Sequence, residues 1–338
     1  MRWIYKRLIV AFLTIYFAMT FTFIVIKSMP GDPIEALTQQ FVRQYYMSYE
    51  EARALAESVA PFVPKGSLLE QYLSYMAKFF RGDFGVSISV STGTPVSKIL
   101  ADAIPWTVLV VASALLISFS LGTLLGMAMA YRHGTRFDSA LLVTFSILRS
   151  IPEYIVAILL LSILGFQLGW FPVRGRYDTW ALEALHHGHV LEFIANVLWH
   201  ATLPILAWVT THIGGWALGM RGSTISVLGE DFIGYAKARG IPERRIITRY
   251  VGRNAILPLF TSFMLSIGFM FGGSIIIEYI FSYQGVGLIL YQAIENRDWF
   301  LMLGAFNIII IAVVIGALLA DLLYGFLDPR VRRGGGYS

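Results

Sequence analysis

The sequence predicts an all-α membrane protein that crosses the bilayer six times. Three observations carry that expectation. The 338 residues are 57% hydrophobic and 14% charged, against about 45–50% and about 25% in ordinary soluble domains. Six stretches are long and apolar enough to span a hydrocarbon layer about 30 Å thick, which takes about 20 helical residues. They are continuous runs, unlike the segments of alternating polarity that build a barrel. Zero cysteine excludes disulfides and thiolate metal sites, and apolar content with aperiodic glycine excludes a disordered or fibrous chain.

The stretches run near Leu8–Ile26, Trp106–Tyr131, Ser139–Leu168, Phe193–Met220, Ala255–Ile277 and Trp299–Ala320, and only the third holds Asp, Glu, Lys or Arg. The first follows Arg2, Lys6 and Arg7 as a signal peptide would. Its run is too long for an h-region, however, and Ile26-Lys27-Ser28-Met29-Pro30 has no small-x-small cleavage site. It reads as a retained span. The chain then divides into residues 1–27 (cytoplasmic N-terminus and first span), an extracytoplasmic loop over 28–104, and a core over 105–338.

Orientation follows from Lys and Arg near the span ends. With the N-terminus inside, the cytoplasmic side holds fifteen (Arg2, Lys6, Arg7, Arg132, Arg136, Arg221, Lys237, Arg239, Arg244, Arg245, Arg249, Arg253, Arg330, Arg332 and Arg333) and the external side nine. Six of those nine lie in the long loop, where the rule carries less weight. Both termini are expected in the cytoplasm. The formal charge of +5 is therefore a topology signal, not a nucleic-acid footprint.

The 28–104 loop carries its own helix signals. Ser48-x-x-Glu51 and Ser67-x-x-Glu70 fit the capping box. Leu68, Leu69, Tyr72, Leu73, Met76 and Phe80 recur at helical spacing, giving an amphipathic helix that lies on the membrane or packs on the spans. It serves as a structural cap or as a docking surface for an external partner. On the cytoplasmic side, residues 221–254 read as two short helices. Asp231 to Arg239 forms the first, Gly240 follows its end, and Pro242 opens the second, which runs towards Asn254. Such a basic pair either lies on anionic headgroups or contacts a cytoplasmic protein.

Motifs for chemistry are missing. GxxxxGK[ST], HExxH and GxSxG do not occur, so no nucleotide-binding loop, zinc protease or nucleophile elbow is supported. The chain is not expected to be an enzyme or to bind a cofactor. His186-His187-Gly188-His189 suits a borderline metal in ligand type but lacks a fourth ligand at a recognisable spacing; solvated histidines are the expectation, and no metal site is assigned. His200 and His212, inside the fourth span, are expected to hydrogen-bond between helices. Ionisable groups at membrane depth face a partner, an interior or a water path. Arg149 and Glu153, four apart, fall on one face of a continuous third helix, where they can pair, although Pro152 distorts that turn. These two and Glu278, at the outer end of the fifth span, are the candidate pathway residues; Asp321 ends the sixth on the inner side. Gly122–Gly126, Gly215–Gly219 and Gly268–Gly272 mark tight helix contacts, within the chain or between subunits.

Asp231-Phe232-Ile233-Gly234-Tyr235-Ala236-Lys237-Ala238-Arg239-Gly240, followed by Arg253-Asn254-Ala255-Ile256-Leu257-Pro258, resembles the EAA loop of ABC importer permeases, in particular the dipeptide, oligopeptide and nickel permeases. Met29-Pro30-Gly31-Asp32-Pro33, Gly82-Asp83-Phe84-Gly85-Val86-Ser87, Ile151-Pro152-Glu153-Tyr154, Ile277-Glu278 with Gly285-Val286-Gly287, Asn296-Arg297-Asp298 and Asp328-Pro329-Arg330 are similar to stations of that family in the same order. The eponymous Glu-Ala-Ala is Gly234-Tyr235-Ala236 here, and the spacing from Gly240 to Pro258 exceeds that of the generic importer.

The resemblance implies a type I ABC importer permease fold in a prokaryotic plasma membrane. It also implies a coupling helix, with Asp231, Phe232, Tyr235, Ala236, Lys237, Ala238, Arg239, Gly240, Glu243 and Arg244 against an ATPase. The implied partners are a second homologous permease subunit, two cytoplasmic ABC ATPase subunits that use ATP and Mg, and an extracytoplasmic solute-binding protein, beside membrane lipid. Cargo is a di- or oligopeptide, with nickel chelates and oligosaccharides as alternatives inside the class. Two rivals stand outside it: a proton-coupled secondary transporter working through Arg149, Glu153 or Glu278, and a membrane scaffold or receptor using the long external loop.

Overall fold

A computed structural model describes residues 2–29, 33–59 and 67–327. Pro30–Asp32 of one family-like station, Asp328-Pro329-Arg330 of another, and Arg332 and Arg333 lie outside the described residues. The described chain is helical, with one isolated bridge between Val86 and Pro95. Its helices are α1 Arg2–Ser28, α2 Pro33–Tyr45, α3 Tyr49–Val59, α4 Leu68–Phe80, α5 Val96–Tyr131, α6 Arg136–Ser150 and α7 Glu153–Leu160. After α7 come a wider-wound stretch, Leu161–Gln167, then α8 Thr179–His186, α9 Val190–Leu228 and α10 Asp231–Ala238. The short α11 Glu243–Arg245 runs through a second wide stretch, Ile246–Val251, into α12 Gly252–Ile280, and α13 Val286–Glu295 and α14 Trp299–Leu327 complete the chain.

Among the described residues four helices, α1, α5, α9 and α14, are long and apolar enough to cross a membrane, and the α6–α7 pair makes a fifth if its bent halves form one span. The third expected span bends by 95° between Ser150 and Glu153. The cause is local. Pro152 has no N–H and disfavours the helical region for the residue before it; Ile151 accordingly adopts φ −83, ψ 125. The fifth expected stretch lies inside the 29-residue α12.

Both α5 and α9 outrun the apolar stretches that marked them, at 36 and 39 residues. At about 1.5 Å per residue each is longer than the bilayer is thick, so their ends project. The expected boundary at residue 104 falls inside α5, whose first turns carry Lys98 and Asp102 and so escape a hydropathy reading.

The two long helices form the spine of the bundle. Gly122 and Gly126 of α5 bring it onto α9: a Cβ at Gly122 would sit 2.6 Å from Trp216 Cβ, and one at Gly126 would overlap the Ala217 carbonyl. The first glycine pair is thus a contact within the chain. Gly215 is the reverse case, with nothing of its own chain within 4 Å of its would-be Cβ, so the second glycine pair makes no such contact there within the chain. Packing at Gly268–Gly272 lies outside what is described. A buried cluster of Val110, Ala114, Ala157, Ala201, Ala207 and Ile277 joins α5, α7, α9 and α12, and a second, including Phe23, Leu100, Leu290 and Leu301, joins α1, α5, α13 and α14.

Arg7 pairs with Asp321 at one end of the α1–α14 contact, and Lys27 lies 3.9 Å over the Trp299 ring at the other. The two helices are therefore antiparallel, with the start of α1 beside the end of α14. Along α1, Leu8, Ile9, Phe12, Phe17 and Phe21 stay exposed, a full-length apolar face suited to lipid.

The outer segment builds a small core of its own from Leu37 and Phe41 on α2, Ala52 and Ala56 on α3, and Ile88. Both capping boxes form: Ser48 N–H donates to Glu51 at 3.1 Å and Ser67 N–H to Glu70 at 2.8 Å. The amphipathic α4 packs on the spans, with Tyr72 Oη 2.7 Å from Thr20 Oγ1 and the Tyr75 ring 5.3 Å from Phe23.

Candidate functional site

At the end of the bundle where α5 and α9 finish, α10 stands out as a short lateral helix. Its termination is written in the sequence. Gly240 adopts φ +68; its N–H bonds Lys237 O at 2.9 Å and the Ile241 N–H bonds Ala236 O at 3.2 Å, which is the Schellman arrangement with glycine in the left-handed position. Ile233, Ala236, Ile246 and Val251 bury together against Tyr131, Val227 and Leu228, cementing the helix to the feet of α5 and α9.

That packing splits the expected coupling residues. Asp231, Phe232, Tyr235, Lys237, Ala238, Arg239, Gly240, Glu243 and Arg244 are exposed, Phe232 at 39% and Tyr235 at 71%. Ala236 is only 4% exposed, so it faces its own bundle; the reason is its position three residues after Ile233 on the inward stripe. The expected second short helix is corrected too, because α11 continues into α12 without ending at Asn254.

Beside this element sits a polar lock. Asp138 is 2% exposed and accepts from Arg221 Nε at 2.6 Å, Arg221 Nη2 at 2.8 Å and the Gly134 N–H at 3.1 Å, with His133 Nδ1 at 3.1 Å. It ties the α5–α6 turn to α9 next to α10. The sequence reading missed it, since Asp138 stands one residue before the apolar stretch; a carboxylate at that margin was the available signal.

A cleft of about 760 Å³ opens where the α6–α7 bend meets α9 and α12. Arg149, Pro152, Glu153 and Tyr154 form one wall, Thr211, His212, Gly215, Trp216 and Gly219 a second, and Pro258, Leu259 and Ser262 a third. Two of the three candidate pathway residues, Arg149 and Glu153, are thus brought to one cavity. They do not share a helix face, as a straight span would require; the bend puts one at the end of α6 and the other at the start of α7. Neither side chain has an ion pair or hydrogen bond among the described residues.

Glu278 is elsewhere. It is fully buried, accepts from Thr107 Oγ1 at 2.7 Å and from the Leu288 N–H at 3.1 Å, and binds α12 to α5 and α13. A Cβ at Gly287 would lie 2.6 Å from Ile275 Cα, so the Ile277-Glu278 and Gly285-Val286-Gly287 stations are two halves of one knot. Asp298 does the same for another pair of stations. It takes the N–H groups of Ile88, Ser89 and Val90 at 2.9, 3.0 and 3.2 Å, fastening the outer segment to the head of α14.

His200 Nδ1 lies 3.2 Å from Gly175 O and His212 Nδ1 lies 3.0 Å from Trp208 O. The first joins α9 to the loop before α8, where His200 Nε2 also lies 3.4 Å from Asp178 at the N-cap of α8; the second stays in its own helix and does not bond between helices as expected. His189 sits 2.9 Å from Glu192 at the start of α9, and no group of three metal-ligating side chains converges among the described residues.

Comparison with known proteins fits this architecture. Residues 122–333 match the family described as "Binding-protein-dependent transport system inner membrane component". The oligopeptide transport system permease protein AppB of Bacillus subtilis is 30% identical over 320 residues, 92% of each chain. OppB of Haemophilus influenzae, also named an oligopeptide transport system permease protein, is 29% identical over 333 residues, covering 98% of this chain and 99% of its own. The di/tripeptide permease protein DppB of Pseudomonas aeruginosa is 27% identical over 321 residues, 92% and 93%. With its long apolar helices, the chain is a multi-pass plasma-membrane protein and belongs to the family of inner-membrane components of binding-protein-dependent transport systems.

Proposed function

We propose that this chain is a permease subunit of an ATP-driven peptide importer, forming half of a translocation path with a second homologous permease subunit. The observation that carries the reading is α10: a short helix, sealed to the bundle on one side and presenting Phe232 and Tyr235 on the other. Such a part transmits displacement because its own packing does not yield. The relatives' printed names supply the peptide class.

In this reading α12 is the fifth span and makes six with α1, α5, the bent α6–α7, α9 and α14, and both termini are cytoplasmic, which the basic surplus supports. Two cytoplasmic ATPase subunits burn ATP with Mg, and an extracytoplasmic solute-binding protein delivers cargo. The permease supplies the path and the lever but no nucleotide site. Closure of the ATPases draws the coupling helices together and turns the cleft outward, which requires ATP and cargo to bind the two states with different affinity. Arg149 and Glu153 border the path.

The test is purification of the tagged chain in mild detergent and reconstitution. Recovery of a stoichiometric ATPase with ATP-driven peptide uptake is the expected result. A chain that transports alone, driven by a proton gradient, would contradict the proposal.

A further inference from the structure

The bend between α6 and α7 has a chemical consequence. In a straight helix Arg149 and Glu153 would lie at i and i+4 and neutralise each other. Bent by 95°, the span leaves a cation and an anion on one cleft wall with no partner among the described residues. Each charge instead sits where its own helix tolerates it, Arg149 in the last turn of α6 and Glu153 in the first turn of α7, as the helix dipole favours.

Arg149 and Glu153 are the guanidinium and the carboxylate of the lining. Thr211 Oγ1 donates to Trp208 O at 3.1 Å, Ser262 Oγ donates to Pro258 O at 3.2 Å, and His212 Nδ1 lies 3.0 Å from Trp208 O, so each of these neutral groups is partly engaged within its own helix. Trp216, Pro258 and Leu259 give apolar walls that fix no particular side chain. The volume of about 760 Å³ falls in the usual small-ligand range of about 300–1,000 Å³.

Resting on the importer reading above, we propose that the cleft selects solutes that carry both a carboxylate and an ammonium group, Arg149 receiving the first and Glu153 the second. A short peptide with free ends is such a solute whatever its side chains. A single charge entering this depth leaves one of the two wall charges uncompensated, whereas a zwitterion satisfies both.

The experiment uses the reconstituted importer with its co-purifying subunits and three probes: trialanine, its C-terminal amide and its N-acetyl form. Each variant is compared with wild type on the same peptide, which cancels the binding protein's own preference, and rates are normalised to assembled complex. Arg149→Gln should slow trialanine and N-acetyl-trialanine by about tenfold or more, the scale of one charged hydrogen bond, while leaving the amide within about twofold. Glu153→Gln should slow trialanine and the amide and spare the N-acetyl peptide.

Equal slowing of all three probes by either variant, or no slowing by both, overturns the selector. Arg149→Lys, which keeps the charge, should restore most of the trialanine rate; failure of that rescue counts against it as well. ATP-driven trialanine uptake by wild type is the separate readout for the importer itself, and its absence would overturn that reading and the selector with it.

Discussion

Replacing Gly240 by valine isolates the lever. A Cβ there meets nothing within 4 Å, so the substitution acts first through the backbone at φ +68. Left-handed geometry costs an ordinary residue about 1–2 kcal/mol, and a branched one stands at the upper end. Escape from that geometry breaks the Gly240–Lys237 and Ile241–Ala236 bonds, the two that end α10. A cost near 2 kcal/mol is small beside a global stability of about 5–15 kcal/mol, so the protein should insert and assemble. Concentrated in one helix end, it should raise local opening by about 30-fold. Hydrogen exchange at the amides of Gly240 and Ile241 should accelerate by that order in Gly240→Val and much less in Gly240→Asn, with ATP hydrolysis retained and uptake lost. Unchanged exchange, or exchange that rises while uptake stays normal, would refute the claim that a stiff α10 carries the motion.

Other expectations concern the fasteners. Asp298→Ala strands the buried Ile88 amide, the half-buried Ser89 and Val90 amides and the Ser87 hydroxyl and should lower stability by about 3 kcal/mol, seen in thermal unfolding of the detergent-solubilised protein; a shift under 1 °C would remove Asp298 from that role. Gly126→Ala should loosen the α5–α9 spine and cost about 2 kcal/mol, whereas Gly215→Ala, with open space at its Cβ, should be neutral; equal effects would contradict the assigned helix faces. The Asn196 amide beside Asp178 holds that carboxyl below the usual carboxylate range, helped by His200. Because the folded value is depressed, this stabilisation is complete above the unfolded value of about 3.9 and disappears as pH falls through the folded one. Asp178→Asn should therefore reduce the fall in melting temperature between about pH 4 and 2, and a wild-type slope preserved in the variant would count against it.

What could be read beforehand followed from locality. Bilayer depth fixes how long a spanning run must be, so α1, α5, α9 and α14 were visible as apolar lengths. The two capping boxes and the glycine after α10 were visible because each involves residues a few positions apart. Direction was not: hydropathy over Ser139–Leu168 records that the run is apolar but not that Pro152 turns it, and the pairing of Arg149 with Glu153 failed for that reason. The resemblance places Ala236 among the coupling residues as part of one motif, while its spacing from Ile233 puts it on the buried stripe. The longest-range fasteners stayed hidden. Asp298 meets Ser87 across 211 residues, and nothing in one sequence says which amides a carboxylate will collect.

The central claim is that α10 is the surface gripped by an ATPase. The chain has no cysteine, so single cysteines can be placed without background. In membranes holding the intact assembly, Tyr235→Cys and Ala238→Cys should crosslink to the ATPase subunit with a yield that changes on adding ATP, while Ala236→Cys, buried against the bundle, should not. Capture of no ATPase from the two exposed positions, or equal capture from the buried one, would contradict the account.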